Sequence, residues 1–229
     1  MPRLALIHTV PALVERFRPL VERALPGWEQ IAHVDESLLA ETVREGQLTL
    51  ATQAGLSAKV HAAAREADAV LVTCSTLGEA VDALRDEVAV PLYRIDRGMA
   101  EEAVRRGTRI GVLATLPTTL GPTGRLIRTT AAAAGREVTL RERLCEGAFA
   151  KLAQGEREEH DRLVRQAFDE LAPHVDLIVL AQASMASALP EATGETVAVL
   201  TSPELGIAAI AGQLSGRTQT TETSGRRQP

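Results

Sequence analysis

Ala67-Asp68-Ala69-Val70-Leu71-Val72-Thr73-Cys74-Ser75 returns later in the chain as Val175-Asp176-Leu177-Ile178-Val179-Leu180-Ala181-Gln182-Ala183, at an offset of 108 positions. In both copies an Asp opens an apolar run with no polar alternation, the pattern of a strand buried on both faces. Working outward, Leu6-Ile7-His8-Thr9-Val10-Pro11 matches Val112-Leu113-Ala114-Thr115-Leu116-Pro117 at an offset of 106. Val88-Ala89-Val90 matches Val197-Ala198-Val199 at 109. Three ordered matches at nearly one offset define an internal repeat of a whole folding unit.

Short strands are predicted at Leu4–His8, Gln30–Val34, Ala69–Thr73, Ala89–Tyr93, Arg109–Ala114, Glu137–Arg141, Leu177–Ala181 and Thr196–Leu200. Helical spacing between them marks Ala12–Ala24, Gly55–Glu66, Leu77–Arg85, Gly98–Arg106, Thr123–Ala134 and Glu156–Leu171. This alternation predicts an α/β protein of parallel sheets covered by helices. With the repeat, it resolves into two similar α/β halves about a pseudo-two-fold axis, with the active site in the cleft between them. The expected boundaries are 1–95 for the first half, completed by about 200–214, and 96–199 for the second. Residues 215–229, nearly all Ser, Thr, Gly, Gln, Arg, Glu and Pro, have little to bury and are expected to be a disordered tail.

Composition excludes several function classes. A net charge of −5 gives no electrostatic case for nucleic acid or an anionic membrane, and 2% aromatics leaves few stacking platforms. The longest apolar stretch, Leu177–Leu189, is interrupted by Gln182 and two serines and is too short to span a bilayer. Leu4–Ile7 is too short for a signal-peptide core. With only two cysteines, Cys74 and Cys145, in a chain large enough to fold without a staple, reduced thiols and a cytoplasmic location are expected. Homodimers are the commonest assembly on general grounds, and the sequence leaves the oligomeric state open.

Ligands of open parallel sheets bind beyond the carboxyl ends of the strands. The repeat brings four loops to that edge: His8-Thr9-Val10-Pro11, Cys74-Ser75-Thr76, Thr115-Leu116-Pro117-Thr118-Thr119 and Gln182-Ala183-Ser184. Their hydroxyls and N–H groups suit a carboxylate held at helix N-termini. Cys74 ends a strand and precedes a helix, where the helix start favours a thiolate. A buried, inert thiol is the competing reading. His8 serves a substrate bond or a structural one equally well, and Thr115, Thr118 and Thr119 bind a carboxylate or cap the next helix. Pro11 and Pro117 shape turns.

Together, Ile7-His8-Thr9-Val10-Pro11, Val72-Thr73-Cys74-Ser75-Thr76, Ile110-Gly111-Val112-Leu113-Ala114-Thr115 and Val179-Leu180-Ala181-Gln182-Ala183-Ser184 resemble the four signature segments of the aspartate/glutamate racemase superfamily. That group includes amino-acid and hydantoin racemases, maleate isomerase and arylmalonate decarboxylase. The resemblance implies proton transfer at the carbon next to a carboxylate by cysteines on opposite faces of the substrate, with no cofactor. Cys74 matches the first cysteine. Gln182 stands at the second. An amide moves no protons near neutral pH but can hydrogen-bond a developing enediolate. Two-base racemisation would then need another group, for which His8, Glu146 and Cys145 are candidates. The implied site is Cys74 as the catalytic group, with His8, Thr9, Ser75, Thr76, Thr115, Thr118, Thr119, Gln182 and Ser184 around a small-molecule carboxylate. A decarboxylase protonating an enediolate from one cysteine and a non-catalytic carboxylate binder are the alternatives.

The remaining features are read as structural. His160, in Glu156-Arg157-Glu158-Glu159-His160-Asp161, is expected on a solvated helix start. His33, His61 and His174 share no pattern and no cluster has metal-ligand spacing, so no metal is expected. Lys59 and Lys151, the only lysines, end no strand, which argues against pyridoxal phosphate. No glycine-rich phosphate loop follows the first strand.

Overall fold

The computed structural model describes residues 1–189 and 197–224, with side chains to residue 216. Two four-stranded parallel sheets are present among these residues. The first contains β1 (Arg3–His8), β2 (Glu29–Val34), β3 (Ala69–Val72) and β4 (Leu92–Arg94) in the order β2-β1-β3-β4. Its helices are α1 (Ala12–Ala24), α2 (Glu36–Glu45), α3 (Leu50–Ala64) and α4 (Gly78–Leu84). After α5 (Arg97–Arg106), the second contains β5 (Arg109–Ala114), β6 (Thr139–Leu144), β7 (Leu177–Leu180) and β8 (Ala198–Thr201) in the order β6-β5-β7-β8. α6 (Pro117–Ala133), α7 (Ala148–Ala153), α8 (Arg157–Leu171) and α9 (Ser202–Ser224) complete the chain.

The Asp that opens each repeat has a physical role. Asp68 accepts from the Arg3 N–H at 2.7 Å and returns its own N–H to the Arg3 carbonyl at 2.8 Å. Asp176 accepts from the N–H groups of Thr108 (3.0 Å) and Arg109 (2.8 Å), and its N–H reaches the Arg109 carbonyl at 2.7 Å. Each Asp therefore sets the register between a sheet's two central strands, placing Leu4 opposite Ala69 and Ile110 opposite Leu177. β3 and β7 are buried throughout and β1 and β5 beyond their first residues, and each fully buried Leu or Ile stabilises by about 1.5–3 kcal/mol.

The third repeat match does not survive as a structural equivalence. Leu92 lies opposite Val70 and Val199 lies opposite Ile178, so the matching positions are Leu92 and Val199. Val88 and Val90 pack against the core as partly buried residues, and pairing begins only after Pro91, which shortens the expected strand Ala89–Tyr93 to Leu92–Arg94. The expected strand at Thr196–Leu200 becomes Ala198–Thr201, with Thr196 outside the described residues. Helix α9 runs on to Ser224, past the expected start of the tail at Ser215, and residues 225–229 lie outside the described residues.

Two crossovers join the halves. Strand β4 leads into α5, whose Met99, Ala100, Ala103 and Val104 pack with Ile110, Val112 and Leu177 of the second sheet. Strand β8 leads into α9, whose Ile207, Ile210 and Leu214 pack with Leu4 and Leu6 of the first sheet and with Phe17 of α1. The crossovers meet backbone on backbone through two glycines. A Cβ at Gly98 would lie 2.5 Å from the Leu205 carbonyl oxygen, and one at Gly206 would lie 2.0 Å from that of Ile95. These glycines sit 108 positions apart, the offset of Cys74 and Gln182, so the same pseudo-symmetry relates the pivot and the loops beyond the strands.

Candidate active site

Cys74 lies two residues past the end of β3 and precedes a 3-10 turn, Ser75–Leu77, that runs into α4. Its side chain shares a core cluster with Ile7, Val70 and Val72, all on the α3/α4 face of the first sheet. The Leu77 N–H closes the turn on the Cys74 carbonyl at 3.1 Å, and the Thr9 and Thr76 hydroxyls and the N–H groups of Thr76 and Leu77 lie near enough to the thiol to favour its ionised form. These four groups favour a thiolate, but burial opposes them more strongly and pushes the Cys74 thiol above its ordinary value. The sulfur is therefore held as a thiol, with groups beside it that favour negative charge.

From the second half, Thr115 and the N-terminus of α6 approach the same turn. Thr119 and Thr76 hydroxyls meet at 2.7 Å across the boundary between the halves. Leu116 precedes α6 with no side-chain cap, and Pro117 occupies its first turn, so the threonines do not cap the helix through their hydroxyls. The Thr118 hydroxyl is buried with no hydrogen-bond partner. An uncapped helix start with an unpartnered hydroxyl beside it is a favourable place for a carboxylate.

Gln182 occupies the position in the second half that Cys74 occupies in the first. Its Oε1 accepts from the Thr115 N–H at 2.6 Å, which fixes the amide orientation and leaves its NH2 as the available donor. A 3-10 segment, Ala183–Ala188, follows and carries Ser184, partly buried. The Arg16 guanidinium of α1 reaches across to the Ala183 carbonyl at 2.8 Å. A bidentate pair joins Arg125 of α6 to Glu79 of α4 at 2.5 and 3.0 Å. With Thr76–Thr119, these contacts hold the halves together around a site whose Thr9, Cys74, Ser75, Thr76, Thr115 and Thr119 are all buried.

His8 is placed apart from this group. Alternation along β1 puts it on the side of Leu4 and Leu6, where its ring lies 5.6 Å from that of Phe17. Its Nδ1 meets the Thr73 hydroxyl at 2.9 Å, and burial lowers its pKa from 6.5 to about 4, so the ring is neutral. His8 lines a cavity of about 360 Å³ with Phe17, Trp28 and Gln30, between α1 and the sheet. The other two second-face candidates also have different surroundings. Cys145 is buried with Leu113, Ala148 and Val164, its thiol pushed up to about 11 by burial, and Glu146 is exposed.

His160 reverses its sequence reading. It is fully buried in α8, its Nδ1 is 2.7 Å from the Asp161 carboxylate, and its Nε2 has no partner. Its i, i+4, i+8 relation to Val164 and Phe168 was the available signal, masked by the charges on either side. Among the described residues no group of three or more His, Cys, Asp or Glu could hold a metal ion, and no helix is long and apolar enough to cross a membrane.

The fold and these loops define a class: a pseudo-symmetric α/β protein whose two parallel sheets present paired strand-end loops to one another. The Asp/Glu/Hydantoin racemase family profile matches residues 8–210, and the chain belongs to that family. No curated protein sequence matches it. Among solved structures it is similar to a glutamate racemase from Bacillus anthracis, with a TM-score of 0.74 and 15% identity over 94% of this chain and 82% of that one. A putative Asp/Glu racemase from Yersinia pestis gives 0.68 and 19% over 93% and 99%, and an allantoin racemase from Klebsiella pneumoniae gives 0.58 and 17% over 95% and 89%. At these identities the structural likeness speaks for the fold.

Proposed function

We propose that this family member is a cofactor-independent isomerase or racemase that moves a proton at the carbon next to a carboxylate, with Cys74 as the proton carrier. The observation that carries this reading is a cysteine at a strand end flanked by the buried hydroxyls of Thr9, Ser75 and Thr76, on a turn that meets the uncapped start of α6 through Thr76 and Thr119 at 2.7 Å. A packed, inert cysteine needs no such polar surroundings. The substrate carboxylate is assigned to the α6 start and the hydroxyls of Thr118 and Ser75, with Thr9 and Thr76 holding the sulfur. Gln182 donates to the enediolate through its NH2, on the face opposite Cys74, and Ser184 lies next to it. In this role Gln182 stabilises charge and carries no proton.

A second reading is favoured by the raised pKa of the buried Cys74 thiol. A thiol that stays protonated is suited to deliver its proton to one face of an enediolate, as in a decarboxylation that ends in protonation. Both readings predict that iodoacetamide alkylates Cys74 and that small carboxylates protect it, and product analysis separates them. Cys74-dependent exchange of the α-proton for solvent deuterium in glutamate, aspartate, allantoin or 5-substituted hydantoins supports the isomerase-type proton transfer, and their racemisation would require a second proton carrier besides Gln182. Carbon dioxide release from disubstituted malonates with one enantiomer formed supports the decarboxylase. Activity that survives in Cys74→Ala overturns both, and a carboxylate-binding protein without turnover then becomes the better description.

A further inference from the structure

Behind the turn that carries Cys74 lies a buried arginine that neither the family resemblance nor the proposed chemistry uses. Arg94, at the end of β4, has a side chain only 2% exposed. Its guanidinium donates from Nε and Nη2 to the two oxygens of Asp96, at 2.7 and 2.8 Å, and from Nη1 to Asp82 of α4 at 2.5 Å. Asp82 also receives Arg97 at 2.8 Å and Arg85 at 3.0 Å. Glu79, paired with Arg125 of the second half, feels the charge of Arg94 as well. A planar guanidinium with this set of bonds has very little freedom.

What it rests on matters most. The Arg94 guanidinium crosses directly over Gly78, where a Cβ would lie 2.2 Å from Nη2, 2.4 Å from Cζ and 2.7 Å from Nε. Gly78 opens α4 immediately after Leu77, whose N–H donates to the Cys74 carbonyl at 3.1 Å. The glycine is required by this close approach, since its φ of −58 suits any residue. Arg94 thus ties three things at one point: the end of β4, the body of α4 through Asp82, and the backbone that follows the Cys74 turn.

We infer that Arg94 is a positioning residue for Cys74, clamping the start of α4 and with it the turn that the Leu77 N–H closes on the Cys74 carbonyl. Removal of a buried cation costs stability through the carboxylates it leaves behind, so the perturbation must be balanced. Arg94→Met combined with Asp96→Asn removes the pair together. Gly78→Ala is an independent perturbation that keeps every charge and pushes the guanidinium off the turn. Arg94→Lys keeps the charge and loses the bidentate geometry.

The inference builds on Cys74 as the reactive thiol, yet its test needs no substrate. Iodoacetamide labelling of the full chain is followed from pH 7 to 11 with peptide mass spectrometry, which reads Cys74 and Cys145 separately. Loss of the turn's placement raises the Cys74 midpoint by about one pH unit, read as labelling about tenfold slower at each pH below it, in the double variant and in Gly78→Ala, with Arg94→Lys between these and wild type. Cys145, buried in the other half, reports unfolding: a variant in which it labels quickly is discarded, and Gly78→Ala, which removes no bonding group, then decides. Unchanged Cys74 midpoints in folded Gly78→Ala or in the folded double variant overturn the positioning role. A shifted midpoint together with full proton-exchange activity in Cys74→Ala would instead sink the functional reading and leave the clamp standing.

Discussion

His8 offers a prediction whose size follows from its surroundings. Burial against Phe17 holds the ring neutral, with a folded pKa of about 4 against 6.5 for an ordinary histidine. A lowered value means that the unfolded chain binds the proton more readily, so the stability His8 contributes is complete above pH 6.5 and is lost as pH falls toward 4. Between pH 7 and pH 5, which lies above the ordinary carboxylate range, one such group costs about 2 kcal/mol. That is a large share of a typical folding free energy of about 5–15 kcal/mol. Urea unfolding across this pH range is the assay, followed by far-UV circular dichroism and by the fluorescence of Trp28, the single tryptophan, which lines the His8 cavity. His8→Gln keeps a partner for the Thr73 hydroxyl and cannot be protonated, so its stability should fall by about 2 kcal/mol less than wild type over the same interval. Parallel pH curves for the two proteins would refute the placement of a desolvated, neutral ring at this position.

Other consequences can be checked with single substitutions. Gly206→Ala drives a methyl group into the Ile95 carbonyl and should destabilise by about 2–3 kcal/mol, whereas Gly212→Ala, in the same helix with open space around it, should be neutral or stabilise by up to about 1 kcal/mol; thermal denaturation ranks the pair. Gln182→Cys supplies a second thiol opposite Cys74, and substrates that wild type exchanges with retained configuration should then be racemised, as read by chiral chromatography. Retention that persists in Gln182→Cys would show that Gln182 is not on the second face.

The repeat was legible because both copies use the same device, an Asp that accepts the first N–H groups of the neighbouring strand before an apolar run begins. Cys74, Thr9, Thr76, Thr115, Thr119 and Gln182 could be grouped from sequence because all lie within a few residues of the carboxyl end of a strand. Helix α2 was missed although its signals are present: Asp35 accepts from the Ser37 N–H at 3.0 Å, and Gly46 closes the helix in the left-handed region at φ 67. Gly121-Pro122 reads as a break, yet α6 begins at Pro117 and continues through it, which places Thr118 and Thr119 in a helix start. The side on which His8 points follows from its alternation with Leu4 and Leu6, but which helix covers that side is set by tertiary packing. Least legible were Gly98, Gly206 and the Arg94–Asp96 pair. Their roles depend on backbone approaching backbone, or a side chain crossing a glycine, between segments distant in sequence.

The most direct test of the functional account is hydrogen–deuterium exchange at the α-carbon in deuterated water, followed by proton NMR over a panel of amino acids, hydantoins and 2-aryl acids, for wild type and Cys74→Ala. The account predicts exchange that requires Cys74 and, with Gln182 on the opposite face, leaves configuration unchanged. Exchange that persists in Cys74→Ala would contradict it, because the proton would then be carried by another group.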